Sequence, residues 1–218
     1  SPSVLVVHPS LPVKNIRELI ALAKAKPGQI NYGSTGTGGH NHMATELFKR
    51  MANINIVHVP YKGSGPSMID LIGGQVQYSF DTPPAVLEHV RAGKLRALAV
   101  ASRQRLAALP EVPTFEQAGL PGYDATNWYA FVALGRTPKE LIDRLNRELI
   151  RAMNAPEVRE QLVIHGMEPQ PTTPEELARI IERDQAVELA VHALVAGSGT
   201  EALGVVTEGL DVDHGRAE

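Results

Sequence analysis

Over the first hundred residues, short aliphatic runs alternate with segments whose apolar positions recur every three or four residues. Val4-Leu5-Val6-Val7 is an unbroken aliphatic run of strand length, closed by His8-Pro9. Pro12 then opens a helix whose apolar positions Ile16, Leu19, Ile20, Leu22 and Ala23 share one face, and Pro27-Gly28 ends it. A short strand begins at Ile30 and runs into a glycine-rich loop, followed by a helix through Met51. Ile54 to Val59 is the next strand, and Ser67 to Ile72 a helix stopped by Gly73-Gly74. Val76 to Phe80, then a helix from Ala85 to Arg91, then the apolar strand Leu95 to Ala101 complete the alternation. Strands that alternate with helices in this way predict an α/β fold, with a parallel-type sheet covered by helices on both faces. Ligands of such sheets sit beyond the carboxyl ends of the strands. Three polar loops belong at those ends: the glycine-rich loop after Ile30, Pro60 to Pro66, and Asp81 to Pro84.

Beyond Ala101 the pattern loosens. A short helix is expected over Phe115 to Ala118, and an aromatic extended segment over Asn127 to Ala133. Pro138 opens a helix to Met153 with Leu141, Ile142, Leu145, Leu149 and Ile150 on one face. Pro156 opens another that ends near His165-Gly166. Thr173-Pro174-Glu175-Glu176 is a capping box before a helix through Ile181.

Composition narrows the function classes. A net charge of -3 gives no electrostatic footprint for nucleic acid. The 218 residues include no cysteine, which removes disulfides, thiol catalysis and cysteine-ligated metals. No apolar run is long enough to span a bilayer, so direct membrane insertion is not expected. Ser1-Pro2-Ser3 reads neither as a signal peptide nor as a natural start, and the chain is expected to have been cut from something longer.

The stretch Ile30-Asn31-Tyr32-Gly33-Ser34-Thr35-Gly36-Thr37-Gly38-Gly39-His40-Asn41-His42 carries the candidate chemistry. It reads as strand, loop and helix start. Such a loop leaves backbone N–H groups unpaired at the positive end of a helix dipole, which suits an anion, either a carboxylate or a phosphate. Ser34, Thr35 and Thr37 add hydroxyls for ligand bonds or helix capping. Gly36 and Gly38 permit close backbone approach. Gly33 and Gly38 have the spacing of a phosphate-binding P-loop, but Gly39-His40 stands where Lys and a hydroxyl residue are required. Asn41 stands where a dinucleotide fingerprint needs its third glycine.

The other candidates come from the neighbouring loops. His40, first past the glycine loop, can face a cleft, but His40 and His42 diverge on a helix and make a poor metal pair, so neither metal nor cofactor is expected. Lys62 can attract a negative ligand, and Tyr61 can pack across a cleft mouth or donate its hydroxyl. Asp81 would repel a carboxylate but can pin a loop N–H or accept from a ligand hydroxyl or ammonium group, with Thr82 as a donor beside it. Trp128 is the sole tryptophan, suited to packing or to ligand stacking. Ser34 and Ser64 lack a nucleophile elbow, and Asp70 and Asp81 lie on different elements, so no catalytic arrangement stands out.

The ordered segments resemble one family. They are Val4 to Pro12, Lys26 to Tyr32, the glycine loop, Val59-Pro60-Tyr61-Lys62-Gly63, Leu71 to Val76, Phe80-Asp81, Arg91 to Val100, Leu109 to Thr114 and Glu116 to Gly122. Over about residues 4 to 183 the chain resembles the substrate-binding proteins of tripartite tricarboxylate transporters, the Bug-type receptors. The resemblance implies a two-lobed periplasmic-binding-protein-like (type II) fold, closing on a small di- or tricarboxylate, acidic amino acid or aromatic acid. It implies a bacterial periplasmic receptor, its precursor's signal peptide absent from this chain, that hands its ligand to membrane subunits and is not an enzyme.

On that resemblance, residues 1–8 are a remnant of the first lobe and hinge, 9–128 the second lobe, 129–183 the return, and 184–218 a divergent tail. The hinge would lie at Val7-His8 and Tyr129 to Phe131. Family members carry more of the first lobe before the position of Val4, so this lobe is expected to be largely missing. Two other readings remain: a ligand-sensing regulatory domain of the same fold, and a phosphate-binding enzyme.

Overall fold

The computed structural model describes the backbone over residues 2–195 and side chains through residue 184, so the sequence's acidic tail from Thr207 lies outside the described residues. The chain divides into two compact units. One takes residues up to Ala133 together with Arg151–Gln170, and the other takes Leu134–Ile150 and the chain from Pro171 on.

The first unit is built on a five-stranded sheet of order β3-β2-β4-β1-β5. Its strands are β1 (Ser3–Val7), β2 (Asn31–Ser34), β3 (Val57–Pro60), β4 (Tyr78–Asp81) and β5 (Arg96–Ala101). β2 runs parallel to β3 and β4, while β1 is antiparallel to β4 and β5. Four strands therefore share one direction, as the alternation predicts, and β1 opposes them. The sheet is mixed rather than wholly parallel. The reason is topological: β1 enters between β4 and β5, and the crossovers that follow constrain only the later strands.

β1 is an inner strand of this sheet, between β4 and β5. His8 continues the attachment, its N–H donating to the Gln77 carbonyl at 2.9 Å. The unit also runs past 128 and regains 151–170.

All five β1 residues are buried, which is why its sequence is aliphatic without alternation. Leu5 and Val7 face one core, with Ile16 and Leu19 of α1 (Ile16–Ala25) and Phe48 of α2 (His40–Ala52). Val4 and Val6 face the other, with Met68 and Leu71 of α3 (Ser64–Ile72) and Val86 and Leu87 of α4 (Pro83–Arg91). Two helices thus cover each face. Phe48, Phe80, Phe115 and Tyr123 stack and edge together in the first core. The expected helix at Phe115 to Ala118 is a hydrogen-bonded turn, because Phe115 is committed to that core.

Residues 151–170 bring α6 (Pro156–Ile164) and then Gly166, which is buried against Pro83 at the start of α4. The Asn127 to Ala133 segment forms no strand. Tyr129, Phe131 and Val132 are exposed there.

The second unit contains most of α5 (Lys139–Met153) and α7 (Pro174–Val195). The capping box forms as the sequence predicts: Thr173 N–H donates to Glu176 Oε2 at 2.7 Å, and Glu176 N–H to Thr173 Oγ1 at 3.1 Å. These bonds hold the Glu176 carboxyl below its ordinary range. Asn146 donates to the Thr172 carbonyl at 2.9 Å, tying α5 to the turn before α7. The apolar face expected on α5 is present, but Leu141 and Leu145 on it are exposed.

Candidate functional site

β2, β3 and β4 run the same way, and each is followed directly by the helix whose N-terminus it delivers: α2, α3 and α4. Three positive helix ends therefore meet one edge of the sheet. The three polar loops are bonded to one another there. Tyr61 N–H donates to the Ser34 carbonyl at 3.0 Å, and Gly63 N–H to the Thr35 carbonyl at 3.2 Å. These join the second loop to the first.

Asp81 joins the third. Its side chain is buried, accepting from Thr82 N–H at 3.0 Å, from Ser64 Oγ at 3.3 Å and from the Asn41 amide. Burial pushes its carboxyl above the ordinary range, against those three donors. Asp81 is thus a staple between loops, and Thr82 N–H serves it rather than a solute.

The glycine loop is built differently from expectation. Gly36 and Gly38 both lie at positive φ, +141° and +79°, where a side chain would be strained. Their N–H groups, however, are used by the protein. Gly36 N–H donates to Ser34 Oγ at 3.2 Å, Gly38 N–H to His42 Nδ1 at 3.1 Å, and Gly39 N–H to the Gly36 carbonyl at 3.3 Å. The glycines shape the loop and do not present those donors. The first intrahelical bond of α2 runs from Met43 N–H to the Gly39 carbonyl, so the N–H groups of His40 and Asn41 precede the helical ladder. Gly39, the N-cap, offers no side-chain cap.

The remaining candidates divide. Thr37 and Lys62 are exposed at this edge. Thr35 Oγ1 donates to Asn41 Oδ1 at 3.3 Å. Ser34 is fully buried, its hydroxyl 2.6 Å from His58 Nε2. The His40 ring lies 2.7 Å from Ser3 Oγ. Burial lowers its pKa, and a hydrogen bond to the Ala125 backbone opposes that. His40 therefore anchors its helix to β1. Tyr61 gives its hydroxyl to Asp70 at 2.7 Å, and its pKa is pushed up to about 12 by burial and that carboxylate.

Two residues escaped the sequence reading. Asn41 is buried, donates to the Phe80 carbonyl and supports both Thr35 and Asp81. His58, on a strand read only for its apolar pattern, stacks on His42 with ring centres 4.2 Å apart. Asn41 had a signal: a polar residue in the first turn where only apolar packing was needed. His58 had none, because its partner lies on another element.

Among the described residues no cluster of three His, Asp or Glu side chains can hold a metal, and no helix is long and apolar enough to cross a membrane. At this edge the helix N-termini face the exposed Thr37 hydroxyl and Lys62 ammonium, while the Thr35 hydroxyl is engaged by Asn41.

A sheet of this order with helix N-termini gathered at one edge defines a solute-binding domain of the periplasmic-binding-protein type. The chain belongs to the tripartite tricarboxylate transporter family receptor family, TctC, whose model matches residues 1–192. That family consists of receptors rather than enzymes. Protein BugT of Bordetella pertussis is 39% identical over 175 residues, covering 80% of this chain and 54% of BugT. The Rhodopseudomonas palustris protein Rpa4515, solved with adipate, superposes with a TM-score of 0.85 at 36% identity, over 90% of this chain and 65% of that one. MatC from the same species, with bound malate, gives 0.77 at 27% identity, over 87% and 66%. The periplasmic binding protein BugD gives 0.76 at 26% identity, over 95% and 66%. The chain spans about half the length of the curated relatives it matches.

Proposed function

We propose that this chain is the ligand-binding part of a periplasmic receptor that captures a small carboxylate and delivers it to the membrane subunits of a tripartite transporter. The observation that carries this reading is the meeting of the α2, α3 and α4 N-termini, three positive dipole ends, at one sheet edge. The ligand carboxylate is held by the first-turn N–H groups of His40 and Asn41, with the Thr35 and Thr37 hydroxyls beside them. Lys62 supplies long-range attraction. Ser34, Tyr61, Asp81 and Thr82 hold the loops in place, and Gly36 and Gly38 set the loop's path. Each charge-assisted hydrogen bond contributes roughly 1.5–3 kcal/mol net.

Relatives solved with adipate and with malate support a dicarboxylic ligand class. Isothermal titration with adipate, malate and inorganic phosphate tests the reading. Binding of a dicarboxylate, lost in Gly38→Val and unaffected by phosphate, is expected. Phosphate binding with no response to either acid would overturn it.

A further inference from the structure

Beneath the glycine loop lies a group of side chains that the proposed function does not use. His42, in the first turn of α2, and His58, on β3, stack with ring centres 4.2 Å apart and planes 24° apart. Tyr32 of β2 stacks on His58 at 4.9 Å. Each histidine also grips the loop. Gly38 N–H donates to His42 Nδ1 at 3.1 Å, so the proton of a neutral His42 ring sits on Nε2. His58 Nε2 is 2.6 Å from the Ser34 hydroxyl, which also bonds Gly36. One ring therefore holds each end of the Ser34 to Gly38 turn.

We propose that His42 and His58 are positioning residues, a neutral clamp on the glycine loop, and that a proton taken up by His42 frees the loop's Gly38 end. The proposal rests on the reading of that loop as the acid-binding element. On His42, a proton at Nδ1 turns the acceptor of the Gly38 N–H into a second donor, and two donors cannot share that bond. On either ring, a charge faces a parallel ring 4.2 Å away, which must then stay neutral.

From α2, Glu46 favours a charge on His58 while Lys49 opposes it, and those two are paired at 2.7 Å. Glu46 is further engaged by the Tyr32 hydroxyl at 2.7 Å. From β4, Tyr78 packs on Tyr32, and burial holds its hydroxyl protonated. His58 itself is held below the usual histidine range, by burial first and by His42 second. The Gly38 end of the clamp is held while His42 is neutral and opens when that ring takes a proton.

The test follows the ring nitrogens of His42 and His58 and the Gly38 amide by ¹⁵N NMR in the ligand-free chain from pH 8 to pH 5. The expected result is an Nε2–H tautomer on neutral His42, and a Gly38 amide whose shift and solvent exchange change with the midpoint of the histidine pair. A Gly38 amide that ignores the titration, or a neutral His42 carrying its proton on Nδ1, overturns the clamp.

A second arm measures adipate affinity at pH 7.5 and 5.5 in the wild type and in His42→Asn, whose Oδ1 can accept the Gly38 bond but takes no proton. One linked proton changes affinity by at most about tenfold per pH unit. The wild type is expected to lose several-fold more affinity than the variant over this interval, because the ligand's own titration is common to both. Equal losses overturn the coupling of the clamp to binding. If adipate binds at neither pH while Gly38 still follows the histidines, the ligand reading fails and the clamp stands.

Discussion

Two stretches of this molecule invert the usual rule that polar residues face water and apolar residues do not. At the sheet edge, Ser34, Asn41, His42 and Asp81 are buried, and the hydrogen bonds of Ser34, Asn41 and Asp81 join three loops. At Tyr129 to Val132, large apolar side chains lie in the open, Phe131 at 74% and Val132 at 81%. The difference teaches where rigidity is placed. Buried polar groups are costly unless satisfied, so a satisfied set fixes one geometry. Exposed aromatic groups fix nothing within the unit that carries them, and their energy is available to whatever packs on them. The loops are a finished device, while the aromatic stretch contributes little to this unit's own stability.

The comparison can be broken at several points, in order of expected effect. Gly38→Val forces a branched side chain into a φ of +79° and displaces the loop, so affinity for a dicarboxylate should fall at least about 100-fold, roughly 2.7 kcal/mol. Retained affinity by calorimetry would remove the loop from the site.

Asp81→Ala takes the acceptor from Thr82 N–H and Ser64 Oγ and one of two from the Asn41 amide, and should cost about 2–4 kcal/mol in denaturant unfolding. A loss below about 1 kcal/mol would mean that the staple is dispensable.

Gly166→Ala brings a Cβ to 2.5 Å from Pro83 Cβ at a φ of +71°, so a loss of about 1–3 kcal/mol is expected in the same assay. A neutral outcome would show that residues 151–170 do not pack on α4.

The histidines predict the pH response. His40 and His58 are both held below the ordinary histidine value, so the unfolded chain binds their protons more readily. Their stability is complete above about pH 6.5 and is lost as pH falls through the folded values. The thermal midpoint should drop between pH 7 and pH 5, and His40→Asn should shrink the drop. Phe131→Ser, on the exposed stretch, should change unfolding by less than about 0.5 kcal/mol. A larger loss would show that the aromatic stretch supports its own unit after all.

Much of this was legible in the sequence because it is local. The aliphatic run at Val4 to Val7, the helix faces of α1 and α2 and the Thr173 capping box depend on residues a few positions apart. The direction of β1 was not legible, since a strand's run of valines carries no sign of its neighbours. The loop's position was legible from Gly36 and Gly38, but the use of its amides was not: Gly38 N–H is claimed by a histidine four residues on, and Ser34 by one 24 residues away. Asp81 was left open between a ligand contact and a loop pin, because its bonds to Thr82 and Ser64 depend on how the loops meet. Tyr61 was not assigned to Asp70, although the two lie nine positions apart, because their meeting depends on how α3 folds back.

The most direct test is to titrate the ¹⁵N-labelled chain with adipate and follow every backbone amide. The account requires saturable shifts centred on Thr37, His40 and Asn41, with smaller ones at Lys62 and Gly63. Saturable shifts confined to the Phe131 region, or to residues on α5, would contradict it.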